Sequence, residues 1–500
     1  MKDLISMNPN PVVQYLNKQA SEFTKQDLIR YIQDNDIEMV NFKYSAWDGR
    51  LKTMNFIIGS IDHLDNILTA GERVDGSSLF PFIEAGSSDL YVIPRYKTAF
   101  VDPFSEIPTL NILCSYYDRN GQPFEGAPEN ILKKAHKSLN NSTGFEFEAM
   151  GELEYYIISR DEGLFKADDQ RGYHESSPFS KWGDFRVEAM KLIAESGGMI
   201  KYGHSEVGNF TKGDLVYEQN EIEFLPTSVE DAADQLVKAK WIVRTLALQY
   251  GVTVTFAPKI TVGKAGSGLH IHTRIMKNGK SQMIEKGVLS DIAKRAIAGY
   301  IKLAPSLTAF GNMTPTSFFR LVPHQEAPTN ICWGDRNRSV LVRVPLGWAT
   351  PMNMINDVNP QEKGDKIDFS DKQTVEFRSP DGSADIYLLL AGLTIAARTG
   401  LQMEDALSIA EKTYVDINIF EEEHKDRLEQ LDHLPASCVE AAKMLKEQMD
   451  YYTKDNVFPK KLLETLARRL ENFDDDGLIG KIQGDDDKVM ELVQRHFNCG

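Results

Sequence analysis

Cysteine is scarce: four residues in 500, Cys114, Cys332, Cys438 and Cys499, with no CxxC pair among them. That spacing argues against a disulfide framework and against structural zinc, and makes a reducing cytoplasm the expected compartment. Long apolar runs are missing too. None approaches the roughly 18 residues needed to span a bilayer, and the opening MKDLISMNPN lacks the basic-then-apolar pattern of a secretory signal. Positive charge is in deficit, 56 Lys and Arg against 73 Asp and Glu, for a formal net charge of −17. Neither nucleic acid nor an anionic membrane is therefore an expected partner, although a local basic pocket stays open. Common catalytic signatures also fail. There is no GxxxxGK[ST] loop, since NGKS at 278–281 has Arg274 where the first glycine belongs. No GxGxxG opens a helix after a strand, and no GxSxG elbow is present. What remains is an apolar fraction of 42% and a charged fraction of 26%, an ordinary soluble composition with a sizeable core. At about 150 residues per domain the length fits three domains, or one large fold with a smaller one.

The first twenty residues, with Pro9 and Pro11, read as a loose arm or short helix. From Thr24 the pattern TKQDLIRYIQDND predicts a capped helix with Asp27 in its first turn. Two apolar-rich runs broken at Asp48-Gly49 signal a hairpin, and β character continues to about residue 118. The Gly-, Pro- and Asn-rich stretch near 119–128 is the best domain boundary. Beyond it, helices alternate with short strands. One helix opens with a Ser228…Asp231 capping box and stops at Gly251, another starts at Ser383, and the chain after 400 is expected to be mostly helical. The triplets at 474–476 and 485–487 do not have EF-hand spacing and read as solvated surface charge.

Four strand-like segments place polar residues at i and i+2, hence on one face. The pairs are Glu152 and Glu154, Glu221 and Glu223, His270 and His272, and Glu376 and Arg378. A lone strand of this kind is ordinarily just half-exposed. Four of them assemble the residue types of a metal and anion site, and carboxylates with an imidazole suit Mg²⁺ or Mn²⁺ better than zinc. A carboxylate face cannot be buried without compensating cations. A second, basic constellation holds Arg320, Arg336, Arg338 and Arg343, whose planar forks match phosphate and carboxylate geometry; surface ion pairing is the plain alternative. Composition and spacing alone stop at a metal-dependent enzyme acting on phosphates.

Seven motifs go further. DGSS (75–78), GELEYY, HSEVG…QNEIEF, FAPK…GSGLHIH, RLVPHQEAP, NRSVLVRVP and VEFRSPDGSAD occur in the order and approximate spacing of the glutamine synthetase family, which the chain resembles from about residue 24 onward. The resemblance implies an α+β fold: an arm (1–23), a small β-grasp domain (24–118), and a large catalytic domain (125–500) whose curved antiparallel sheet is flanked by helices. It also implies a homo-oligomer of hexameric rings, expected as a dodecamer, with active sites shared between neighbouring subunits. Carried over motif by motif, Glu154, Glu206 and Glu221 would hold a first metal, and Glu152, His270 and Glu376 a second that bridges the ATP phosphates. Two or three Mg²⁺ or Mn²⁺ ions per site are expected, with ATP as co-substrate. Arg338, Arg343 and Arg378 would neutralise the transferred phosphoryl group. Arg320, with Arg378, would grip the acceptor's carboxylate, Gly266 and His272 would contact substrate, and Glu326 would lie beside the amine. The reaction implied is ATP-dependent: the γ-carboxylate of glutamate is phosphorylated, then attacked by ammonia.

The departures from the family pattern lie at the amine end. Ala46 stands where an Asp of the first-domain hairpin helps bind ammonium, although a register shift could recruit Asp48. Ala265 replaces the Asn before GSG, and Pro226 replaces an aromatic that packs on adenine. The stretch between Glu206 and Glu221 is about seven residues longer than usual. Phe420 stands where some bacterial members carry a Tyr for nucleotidylation, so that control is expected to be absent. Intact metal and phosphoryl residues beside an altered amine end leave open a larger amine, of polyamine or ethanolamine type, as the nucleophile. A non-catalytic relative is the third alternative, disfavoured because all six metal positions read Glu or His.

Overall fold

The computed structural model describes residues 2–84, 86, 88–165, 167–322, 327–347, 350–417, 430–482 and 484–500. Helices Lys2–Ser6 and Pro11–Leu16 open the chain. The second is pinned rather than loose: Val12, Val13 and Leu16 are buried in the main core, and the Asn10 side chain caps it and donates to the Ala99 carbonyl at 3.1 Å. Thr24 caps helix Lys25–Asp34 in a reciprocal box with Asp27, as its sequence predicts.

The smaller domain is one sheet of six strands: β1 (Met39–Ser45), β2 (Leu51–Ile57), β3 (Glu72–Asp75), β4 (Asp89–Pro94), β5 (Phe100–Val101) and β6 (Thr109–Tyr117). Their order is β2-β1-β6-β4-β3, with β5 on β6; β1 and β6 run parallel and every other pair antiparallel. The β1–β2 turn falls on Asp48-Gly49, and Gly49 takes φ +75°, which a tight turn requires and glycine supplies without strain.

The larger domain is built on β7 (Glu146–Arg160), fifteen residues long. The strands that follow are β8 (Ile200–Lys212), β9 (Leu215–Phe224), β10 (Thr227–Ser228), β11 (Thr253–Thr255), β12 (Leu269–Lys277) and β13 (Lys280–Ser281). A separate two-stranded hairpin, β14 (Ile284–Glu285) and β15 (Val288–Leu289), precedes β16 (Trp333–Asp335), β17 (Val342–Val344) and β18 (Val375–Phe377). The main path is β16-β17-β18-β12-β7-β9-β8, antiparallel except for the parallel pair β16–β17. The expected antiparallel sheet therefore carries a parallel edge.

One face of this sheet is apolar. Leu153, Tyr155, Leu269, Ile271 and Phe377 are buried against helices that include Val229–Tyr250, Asp291–Gly311 and Ile386–Gln402. Ser228 caps the first of these and Gly251 ends it, as expected. The third starts three residues later than Ser383, because Asp385 caps it; the Ser383 hydroxyl instead accepts from the Met313 N–H at 2.8 Å and donates to Asp381 at 2.6 Å. The acidic triplets are corrected in part. Asp474, Asp476, Asp486 and Asp487 are exposed, but Asp475 is buried and accepts from the Cys438 and Val439 N–H groups at 2.9 and 3.2 Å, and Asp485 caps helix Asp486–His496. Unpartnered N–H groups at a helix start attract carboxylates more strongly than a general surface does. No single helix among the described residues is long and apolar enough to cross a membrane.

Candidate active site

The polar face of the larger sheet lines a cleft of about 910 Å³. Strand register arranges it in rows. Across β8, β9 and β7, His204 lies opposite Glu221, and Glu221 opposite Glu154. One row along, Tyr202 faces Glu223, Glu223 faces Glu152, and Glu152 faces His270 on β12. On the far side His272 faces Glu376, which faces Arg343 on β17. Alternation alone aims these side chains into one cavity while their neighbours go to the core.

Glu206 follows Tyr202 and His204 on the same face, at the edge of a break in register. The β8 register jumps from Ser205↔Asn220 to Asn209↔Glu218, so Glu206, Val207 and Gly208 oppose the single residue Gln219. Such a bulge lets Val207, which alternation would send elsewhere, line the cleft beside Glu206. The extra residues between Glu206 and Glu221 form the outer β8–β9 hairpin, turning at Gly213-Asp214.

The electrostatics are uneven along the rows. Burial pushes Glu152 up, but the His272 charge and hydrogen bonds from His270 and His272, at 2.9 and 2.7 Å, hold it well below the usual carboxylate range. Burial, with Glu206 beside it, raises Glu154 to about 8, although Arg320 opposes the rise. Glu221 is raised well above its ordinary value by burial and then by Glu152, Glu154, Glu206 and Glu223. Burial lowers His270. It would lower His272 as well, but the Glu152 carboxylate raises it on balance. Glu376 is buried between Arg378, whose Nε donates at 2.9 Å, and Arg343, whose Nη1 donates at 3.0 Å; burial and then Glu152 push it up, but Arg378, His272 and His270 hold it below its ordinary value.

Among the described residues three groups bring ligand atoms within 4.8 Å of one another: Glu152, His272 and Glu376; His204, Glu206 and Glu221; and Glu152, Glu221 and Glu223. Carboxylates with one imidazole, and no thiolate, form a donor set for a hard divalent cation such as Mg²⁺ or Mn²⁺. Mutual repulsion among the buried carboxylates gives the same indication, because a cation would relieve it.

Cations share this cleft with the carboxylates. Arg320, Arg338, Arg343 and Arg378 all line the cleft; Arg336 does not, and its N–H closes a turn on the Val344 carbonyl instead. Arg320 donates to the Ser379 carbonyl at 2.8 Å and to the Arg378 carbonyl at 3.2 Å. Gly266 is glycine for a steric reason, since a Cβ there would lie 2.5 Å from the Pro258 carbonyl oxygen and 3.0 Å from Arg320 Cγ. The Ala265 methyl lies at the same wall, with its carbonyl accepting from Tyr156 Oη and its N–H donating to Gln170. Glu326 and Phe420 fall outside the described residues.

Sequence reasoning missed Lys201, Tyr202, Tyr173 and Lys259, all of which line the cleft. Glu223 was on the right face but in no ligand set, and His204 sat unremarked inside a quoted motif. Lys201 and Tyr202 both hold Glu223, at 2.7 and 2.5 Å. Alternation through Tyr202, His204 and Glu206 is the signal in the sequence that could have flagged the strand.

The comparisons agree with this geometry. The profile "Glutamine synthetase, catalytic domain" matches residues 125–469, and "Glutamine synthetase, beta-Grasp domain" matches residues 36–119. The chain belongs to the glutamine synthetase family. The larger domain is thus the family's ligase domain and the smaller its β-grasp domain. A glutamine synthetase from Frankia alni is 30% identical over 489 residues, covering 90% of this chain and 96% of the relative. One from Methanococcus maripaludis is 30% identical over 460 residues, covering 90% and 93%. In fold, the chain is similar to a Plasmodium falciparum glutamine synthetase (TM-score 0.73, 22% identity, 91% and 96% covered) and to a GmaS/ADP complex (TM-score 0.68, 18% identity, 91% and 96% covered).

Proposed function

We propose that this family member is an ATP-dependent ligase that forms an amide on the γ-carboxylate of glutamate, with ammonia as the nucleophile. One observation carries the reading: buried carboxylates and imidazoles from five strands share a single cleft with four arginines. The residues fit two or three Mg²⁺ or Mn²⁺ ions, with Glu154, Glu206 and Glu221 holding one and Glu152, His270 and Glu376 another. Among the described residues, the groups whose ligand atoms lie within 4.8 Å of one another pair His272 rather than His270 with Glu152 and Glu376, and His204 rather than Glu154 with Glu206 and Glu221, so His272, His204 and Glu223 could join these sets. Bound cations would supply Lewis-acid polarisation of the ATP phosphoryl oxygens.

The remaining roles belong to side chains. Arg338 and Arg343 neutralise charge on the transferred phosphoryl group, where preorganised donors are most effective. Arg320 and Arg378 orient the acceptor, beside Gly266 and His272. Glu326 takes a proton from the incoming ammonium before it attacks the acyl phosphate. The hairpin carrying Ala46 and Asp48 does not line this cleft in its own chain; Asp48 instead lines a separate cavity near the terminal residues. That supports a ring assembly, expected as a dodecamer, in which a neighbour's β-grasp domain closes each site.

A larger amine as nucleophile is favoured by one feature. Ala265 lines the cleft with both backbone groups committed, so it offers a methyl where an amide would stand. ADP release with glutamate plus ammonium, and then with putrescine or ethanolamine in its place, separates the readings. Turnover with ammonium is the expected result, turnover only with the larger amines moves the assignment to them, and none with any amine overturns both.

A further inference from the structure

Residues 470–500 lie beyond the segment matched by the family's catalytic profile, which ends at 469. They pack inward. Helices Leu478–Ile482 and Asp486–His496 bury Ile482, Val489 and Val493 in a second apolar cluster, separate from the main core. Its other members are Tyr156, Phe210, Ala257, Ile260 and Phe319. Three of the segments they belong to carry cleft residues. Phe319 directly precedes Arg320 on helix Pro315–Arg320. Ile260 is in the loop of Lys259, Ala265 and Gly266, against which Arg320 packs. Phe210 is on the β8–β9 hairpin between Glu206 and Glu221, stacked on Tyr217 with ring centroids 4.5 Å apart.

The last residues are tied down on both domains. Thr255 Oγ1 donates to the Phe497 carbonyl at 2.5 Å and Arg244 Nη2 to the Cys499 carbonyl at 2.7 Å, while Arg50 of the β-grasp hairpin donates to the Asn498 carbonyl at 2.5 Å. A close-packed interior transmits displacement instead of absorbing it. Val493 and Phe319 share this cluster, and the arginine follows Phe319 by one residue.

We propose that the terminal helices Leu478–Ile482 and Asp486–His496 are a positioning element of the cleft, fixing Arg320 and the Glu206–Glu221 hairpin through Val489 and Val493. The substrate arm of this proposal rests on the role given to Arg320 above. The metal arm rests instead on the cation-ligand roles given to Glu206 and Glu221, which need no turnover to test.

The test uses the full chain with Val489→Ala and Val493→Ala combined, and Val493→Ala alone in case the pair does not fold. Leu445→Ala, a fully buried site in the main core, is the stability control. Mn²⁺ affinity is titrated on the nucleotide-free protein, and KM for glutamate and kcat are measured separately. The expected result is an Mn²⁺ affinity at least about fivefold weaker and a KM at least about fivefold higher, with kcat changed less, well inside the roughly hundredfold that a 1 Å misplacement can cost. Val493→Ile should stay near the parent, and Leu445→Ala should lose thermal stability without moving either constant. Unchanged Mn²⁺ affinity and KM in the tail variants, or equal shifts in Leu445→Ala, would overturn the proposal. A parent chain without turnover would sink the proposed function and leave the Mn²⁺ comparison to decide this one.

Discussion

Glu152 and Glu154 are two residues apart on one strand face, yet their acidities move in opposite directions. Glu152 accepts from two imidazoles, whereas Glu154 has Glu206 beside it, and Arg320 with the Gly268 N–H does not offset burial. Neighbours, not residue type, set the charge of each. Glu376 is the sharper case, a carboxylate at 1% side-chain exposure between two guanidinium groups. If it is a cation ligand as well as an ion-pair partner, Glu376→Gln should weaken Mn²⁺ binding by about tenfold or more, the scale on which ligands and their supports tune a site. Calorimetric titration of the variant checks this. An unchanged Mn²⁺ isotherm would leave Glu376 with a purely ion-pairing role.

At the scale of elements, strands with strict alternation were legible from sequence and the bulged one was not. Glu152, Glu154, Glu221, His270, His272 and Glu376 fall on one sheet face by counting in twos. Tyr202, His204 and Glu206 also count in twos, but their strand shifts register on either side of them, so counting fails before Tyr202 and beyond Glu206. Helix starts behaved similarly. Thr24 and Ser228 were readable caps, but Asp475 caps a helix that begins 37 residues earlier in the chain, a contact that local pattern cannot show. The junction between β6 and helix Pro128–Thr143 holds a second such contact. Glu129, half-buried there, accepts from the Tyr116 N–H at 2.9 Å, and its desolvation lifts it to about 7 from an ordinary 4.5. A carboxyl with a raised folded-state value contributes its stability below the unfolded value, and that contribution is lost as pH climbs through the folded one. Between pH 5 and pH 8 the parent should therefore lose about 3 kcal/mol that a Glu129→Gln variant keeps. Urea unfolding of both proteins at the two pH values measures it, and parallel pH profiles would refute it.

Across the whole molecule, the two domains are joined by specific polar contacts as well as by a continuous apolar core. Arg95, just past β4, forks onto Asp234 of helix Val229–Tyr250 at 2.7 and 2.9 Å, and Tyr387 donates to the same carboxylate at 2.7 Å. Lys43 of β1 lies 3.8 Å from the ring centroid of Trp241 on that helix, and burial lowers its pKa to about 8. Arg95→Met leaves Asp234 buried without its cation and should cost about 3 kcal/mol or more. Adding Asp234→Asn should recover part of that loss, because the uncompensated charge is then gone. Thermal unfolding of the single and double variants checks the sign, and a double variant weaker than the single would count against the argument.

The family, the β-grasp and catalytic order of the chain, and most of the charged groups facing the cleft were determined by the sequence itself, because ordered motifs and period-two alternation are local properties. Tertiary structure alone decided which carboxylates became neighbours, which arginine of the basic stretch lies outside the cleft, and how the terminal helices came to pack on the apolar cluster behind it. Those outcomes depend on strand register, on one bulge and on contacts hundreds of residues apart, and no local pattern encodes them.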